Sequence, residues 1–184
     1  MRTITAFVCA ISLALTGQVK AVIFPRQISL GESLEHPLDE TDFATRSAAF
    51  AKAISLSKPY SSGPFELRVS RTGVRGDGVA YVIAAGRLRS FRIHRRPNGL
   101  AQAVPLTNRR IGANRMPVAE VKALKEAAGH WLGCSVEDGE MVMIDASLDG
   151  VVSHVLAYAP TDCTTPNAVR ITALLNAITV LVEH

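Results

Sequence analysis

Four turn signals constrain this chain more than any other feature. Asp77-Gly78, Gly86-Arg87, Asn98-Gly99 and Asp149-Gly150 each sit between runs rich in apolar residues. Such dipeptides tolerate the backbone of tight hairpins, so they cut the chain from Phe65 onward into short strands. The segment FELRVS alternates cleanly, with Phe65, Leu67 and Val69 on one face and Glu66, Arg68 and Ser70 on the other. VAYVIAA is apolar on both faces, as a covered strand is. A two-residue turn at Asn98-Gly99 sets Phe91 against Leu106 and Ile93 against Val104, two apolar pairs on one face. Leu88 is out of phase with Phe91, which predicts a bulge near Arg89-Ser90. The hairpin at Asp149-Gly150 places Asp145 opposite His154.

Helical spacing appears three times. Phe43, Ser47, Phe50 and Ile54 recur on one side of residues 41–57, with Asp39, Glu40 and Asp42 at the N-terminal end and Lys58-Pro59 at the stop. A second helix starts at Pro117, carries the stripe Val118, Val121, Leu124, Ala128, Trp131 and Leu132, and stops at Gly133. Thr165 caps a third, which runs from Pro166 to near Val182. Residues 22–40 read as an extended, loop-rich lead-in. The pattern predicts an α+β domain: an antiparallel sheet, a meander of about four strands plus a C-terminal hairpin, packed on one face against about three helices.

The N-terminus fixes the compartment. Arg2 precedes an uncharged run, Ile4 to Leu15, and Val19-Lys20-Ala21 offers a cleavage pattern. Residues 1–21 therefore read as a secretory signal peptide and 22–184 as a single domain. The run is too short for a membrane span of about 20 residues. Cys9 leaves with the signal, and Cys134 with Cys163 forms an even pair in an oxidising compartment, periplasmic or extracellular. The last hairpin brings both to its open end, so a Cys134–Cys163 disulfide is expected.

Charge is distributed unevenly. From Leu67 to Ala119 there are eleven Arg, no Lys and one acid, Asp77. From Glu120 to His184 three basic residues face nine acids. Arg68, Arg89, Arg92 and Arg96 are the candidate anion-binding residues, on one outer sheet face if a bulge brings Arg89 into phase. The same arginines also fit two plainer roles, balancing the acidic 137–149 region and protecting a sheet edge.

No motif assigns a reaction. The five histidines form no helical pair, and neither HExxH nor CxxC occurs, so no metal or cofactor is expected. Cys163 begins a helix as a nucleophile would, but only His184 follows it, and the disulfide accounts for it better. Asp145 and His154, with Ser147 or Ser153, lack a nucleophile elbow and read as a surface ion pair. GVRGDG follows one strand and opens another, so it is a turn and not a phosphate cradle. Only Phe91 and Tyr81 lie among the arginines, which argues against nucleic acid.

The sequence thus reads as an exported, non-catalytic binding or accessory module whose partner is an anionic envelope component or an acidic protein. The alternatives are a small exported hydrolase with an unlocated site and a purely structural envelope accessory protein. The exported chain is expected to start at Val22. Intact mass of protein recovered from the exported fraction tests this, and recovery of the full-length chain would contradict it.

Overall fold

A computed structural model describes residues 33–54, 63–73, 75–95, 101–134 and 138–184. The signal-peptide expectation, and Arg96 with the Asn98-Gly99 turn, lie outside the described residues. The strands are β1 (Ser33–Pro37), β2 (Phe65–Thr72), β3 (Gly78–Ala84), β4 (Arg87–Arg95), β5 (Ala101–Arg110), β6 (His130–Cys134), β7 (Met141–Leu148) and β8 (Val151–Tyr158). The helices are α1 (Glu40–Ala53), α2 (Val118–Ala123) and α3 (Pro166–Glu183). All eight strands form one sheet in the order β1-β6-β8-β7-β2-β3-β4-β5. It is mixed: β6 and β8 run parallel and every other neighbouring pair is antiparallel.

The domain is α+β, but the sheet is larger than a four-stranded meander with one hairpin. Two strands account for much of the difference. β1 falls in the lead-in that read as loop. β6 takes over the end of the stretch that read as one long second helix. That helix stops at Ala123, a short 3₁₀ turn follows over 124–126, and Gly129 at φ +74° turns the chain into β6. Residues 130–134 then pair with β1 on one side and 130–133 with β8 on the other, which places β6 inside the sheet. Leu132 and Cys134 enter one core while Trp131 joins the other, a period of two.

Helices cover both faces of the sheet, not one. On the first face Leu67, Val69, Ile83, Leu88 and Ile144 pack against Val121 and Leu124 and against α3, whose Ile171, Leu174, Leu175 and Ile178 are buried. Thr165 caps α3, its side chain accepting from the Ala168 amide at 3.2 Å. On the second face α1 sets Phe43 and Phe50 against Val82, Phe91, Ile93 and Met143. Each such aromatic contributes roughly 1.5–3 kcal/mol of burial. Asp39 caps α1 by accepting from the amides of Thr41 and Asp42.

Two-sided cover explains the misplaced Leu88. It points into the first core while Phe91 and Ile93 point into the second, and β4 pairs with β3 without interruption. The irregularity lies instead between Ser90 and Phe91 on the β5 side. Ser90 pairs with Thr107 but Phe91 pairs with Pro105, so Leu106 is the extra residue and Ile93 meets Ala103 instead of Val104. Proline has no N–H to give a ladder, and a bulge on an edge strand accommodates it.

The β7–β8 hairpin has the expected register, Asp145 opposite His154 included, around Asp149 and Gly150 with φ +50° and +78°. Cys134 and Cys163 form a disulfide with Cα atoms 5.7 Å apart. Their proximity comes from β6 lying beside β8 in parallel, so that both strands leave the sheet at the same end. The bond closes a loop with a sequence separation of 29. Replacing Cys134 by Ser is therefore expected to lower stability by about 3–4 kcal/mol. Denaturant unfolding of the oxidised protein reads the change, and an unaltered midpoint would contradict it.

Candidate functional site

The four candidate arginines do not share one face. Arg68 was expected on the exposed side of β2. It does point away from Phe65, Leu67 and Val69, but α1 covers that side and Arg68 is only 2% exposed. Its Nε donates to Glu66 Oε1 at 2.7 Å, so the charge is matched inside the protein. Arg68 therefore cannot meet an external anion as placed. Arg89 lies on the same second face, opposite Val82 and in register with Asn108. Arg92 lies on the other face, opposite Val79, and is exposed. No bulge in β4 brings Arg89 and Arg92 together. Arg96 is outside the described residues.

A different cluster forms on the second face of β4 and β5. Arg87 sits directly opposite Arg110, and Arg89 follows two residues along, opposite Asn108. Arg87 Nε donates to Asn108 Oδ1 at 3.0 Å. Arg87 and Arg110 are exposed and Arg89 is half-buried. Like charges directly opposite each other in a sheet repel. The ion pairs among the described residues engage Arg46, Arg68, Arg71, His94 and His154, and none engages Arg87, Arg89 or Arg110. Arg71, by contrast, is held by Glu140 through contacts of 2.8–3.1 Å. Arg110 could have been found from the sequence, because the register expected of a two-residue turn at Asn98-Gly99 also sets Arg87 opposite Arg110.

On the opposite face of the same ribbon, Arg109 turns inward. Its Nε and Nη2 are buried without a hydrogen-bond partner, and so is Oγ of Ser90. Leaving such groups unmatched costs about 1–3 kcal/mol each. The β4–β5 ribbon thus carries unmatched donors on both faces.

A second polar constellation lies under α1. Asp145 is 2% exposed, and Ser47 Oγ donates to its Oδ2 at 3.1 Å. His154 Nδ1 lies 3.1 Å from Asp145 Oδ1, and the Phe43 ring rests against the imidazole at 4.5 Å. Asp145 is buried and His154 half-buried, so the pair anchors α1 rather than lying fully on the surface as expected. Ser47 was seen only as part of a helical stripe. The carboxylate stands between hydroxyl and imidazole, whereas nucleophilic catalysis needs the imidazole next to the hydroxyl. Ser147 and Ser153 are buried, and successive residues of β8 alternate faces, which puts Ser153 on the face away from His154. Among the described residues no three His, Cys, Asp or Glu side chains come together as a metal site. A cleft of ≈ 220 Å³ does open between α1 and the sheet, but its walls are other residues, Phe50, Ser70, Met141 and Met143 among them.

The hydrogen bond to Asp145 raises the His154 pKa, burial opposes it, and the charges of Asp145 and Glu40 add to the rise. A pKa raised on folding stabilises the protein fully below the usual value near 6.5, and that contribution is lost as pH climbs through the folded value. Thermal stability is expected to fall as pH rises above the usual histidine value near 6.5, and His154→Gln is expected to flatten that slope. Melting curves across that rise test it, and an equal slope in the variant would contradict it. No protein-family model, curated protein or solved structure matches this chain, so its function is read from this geometry alone.

Proposed function

We propose that the protein is an exported, non-catalytic binding module that holds an anionic partner on the β4–β5 ribbon through Arg87, Arg89 and Arg110. The observation that carries this reading is the Arg87–Arg110 cross-strand pair, two like charges face to face with Arg89 beside them and no carboxylate among their ion pairs. An incoming carboxylate, phosphate or sulfate relieves that repulsion, and the guanidinium fork matches its oxygens. From Arg87 to Arg110 the chain carries no Asp or Glu, so nothing within the ribbon competes for those forks. An anionic envelope component or an acidic protein fits the site.

Export is part of the proposal. It rests on the leader-like N-terminus and the Cys134–Cys163 pair, which suits an oxidising compartment. Among the described residues no helix is long and apolar enough to cross a membrane.

One observation favours a second reading. β5 is a sheet edge with Pro105, a bulge and exposed Val104 and Leu106, and arginines at such an edge also deter pairing with another chain. One experiment separates the two. Arg87, Arg89 and Arg110 are changed together to Gln, and retention on heparin is measured over a salt series with the oligomeric state checked in parallel. The binding reading expects retention to be lost and its salt dependence to drop by about one log–log unit per arginine. Unchanged retention with new self-association would replace binding by edge protection.

A further inference from the structure

The geometry points to a second binding site, independent of the arginine ribbon, for a small amphipathic carboxylate with a short apolar tail. The site is the ≈ 220 Å³ cleft between α1 and the second face of the sheet. It lies at the Thr72–Gly78 end, whereas Arg87 and Arg110 occupy the other end of that face. Its walls are Phe50, Ile93, Met141, Met143 and Leu156. Alanines at 49 and 53 of α1 and at 101 of β5 leave the space open.

Three features select the ligand. The first is volume: the cleft offers ≈ 220 Å³, below the roughly 300–1,000 Å³ of pockets that hold drug-sized ligands. That suits a short chain. The second is the lining. Unbranched, polarisable methionine side chains adapt to a flexible tail, and two of them stand side by side on β7. The third is polarity. Ser70, 8% exposed, and Thr72 are hydroxyls on the sheet side, and Arg46 is the one charged residue among the described lining. Arg46 spends its Nε on Asp42 at 2.8 Å, one turn back along α1. Its four terminal N–H donors are left to receive a carboxylate at the exposed end of the chain. A tail buried along the methionines with its head on Arg46 satisfies both ends of the ligand, as fatty acids and other short amphiphiles require.

The test uses the full protein and octanoate, with octanol as the neutral control of the same carbon count. Calorimetry is expected to give saturable one-to-one binding of octanoate, about tenfold weakened by Arg46→Gln while octanol is unaffected. Ala53→Phe, which fills the cleft from the helix side, is expected to abolish both. The methyl resonances of Met141 and Met143 in the unaltered protein give a reading that depends on no variant folding. They are expected to shift on addition of octanoate in step with the calorimetric curve. Absence of heat and of methyl shifts at millimolar octanoate overturns the site. Equal loss of octanol and octanoate in Arg46→Gln overturns the carboxylate preference.

Discussion

The structure depends on a row of charge buried beneath α1. His154, Asp145, Arg68 and Val82 stand side by side across β8, β7, β2 and β3, and Glu66 bonds to Arg68 from the same strand. A charge taken from water costs several kcal/mol unless neighbours replace its hydration. His154 and Asp145 are drawn from adjacent strands, so there the sheet register supplies the match, while Arg68 takes Glu66 from its own strand. α1 completes the row by donating Ser47 to Asp145 and laying Phe43 on His154. Helix docking and strand register are thereby coupled: a slip of one residue in β2 would turn Arg68 into the apolar first core.

That row also decides which arginines are left outside internal ion pairs. Arg68 is consumed by Glu66 and Arg71 by Glu140, both within the middle of the sheet. Beyond β3 no acidic strand neighbours the chain, and β5 ends the sheet. Arg87, Arg89 and Arg110 face water or one another, because Asp145 of β7 lies on the far side of β2 and β3. The charge asymmetry seen along the sequence becomes an asymmetry across the sheet, with part of it neutralised at the centre and the remainder collected at one edge.

Local features were legible in the sequence. The alternation of FELRVS, the Asp149-Gly150 hairpin and the caps of α1 and α3 all depend on neighbours a few residues away, and each is where local chemistry places it. What was not legible depends on distant partners. β1 and β6 are recognisable as strands only beside each other and β8, since Trp131 and Leu132 satisfy a helical stripe equally well on paper. Arg68 alternates as an exposed residue would, and only the path of α1 across that face makes it internal. Leu88 appeared to require a bulge in β4 because one buried face was assumed, and the second core removed the need. Pro105 was the local sign of the irregularity that does exist.

The central claim is that Arg87, Arg89 and Arg110, which join no ion pair among the described residues, can meet an anion while Arg68 is bound internally. Nitrogen-detected NMR of the arginine Nε–H groups during a heparin titration at low salt examines each guanidinium separately. The account predicts that the resonances of Arg87, Arg89 and Arg110 move together and saturate, while those of Arg68 and Arg71 stay in place. Movement of Arg68, or a silent Arg87–Arg110 pair, would contradict it.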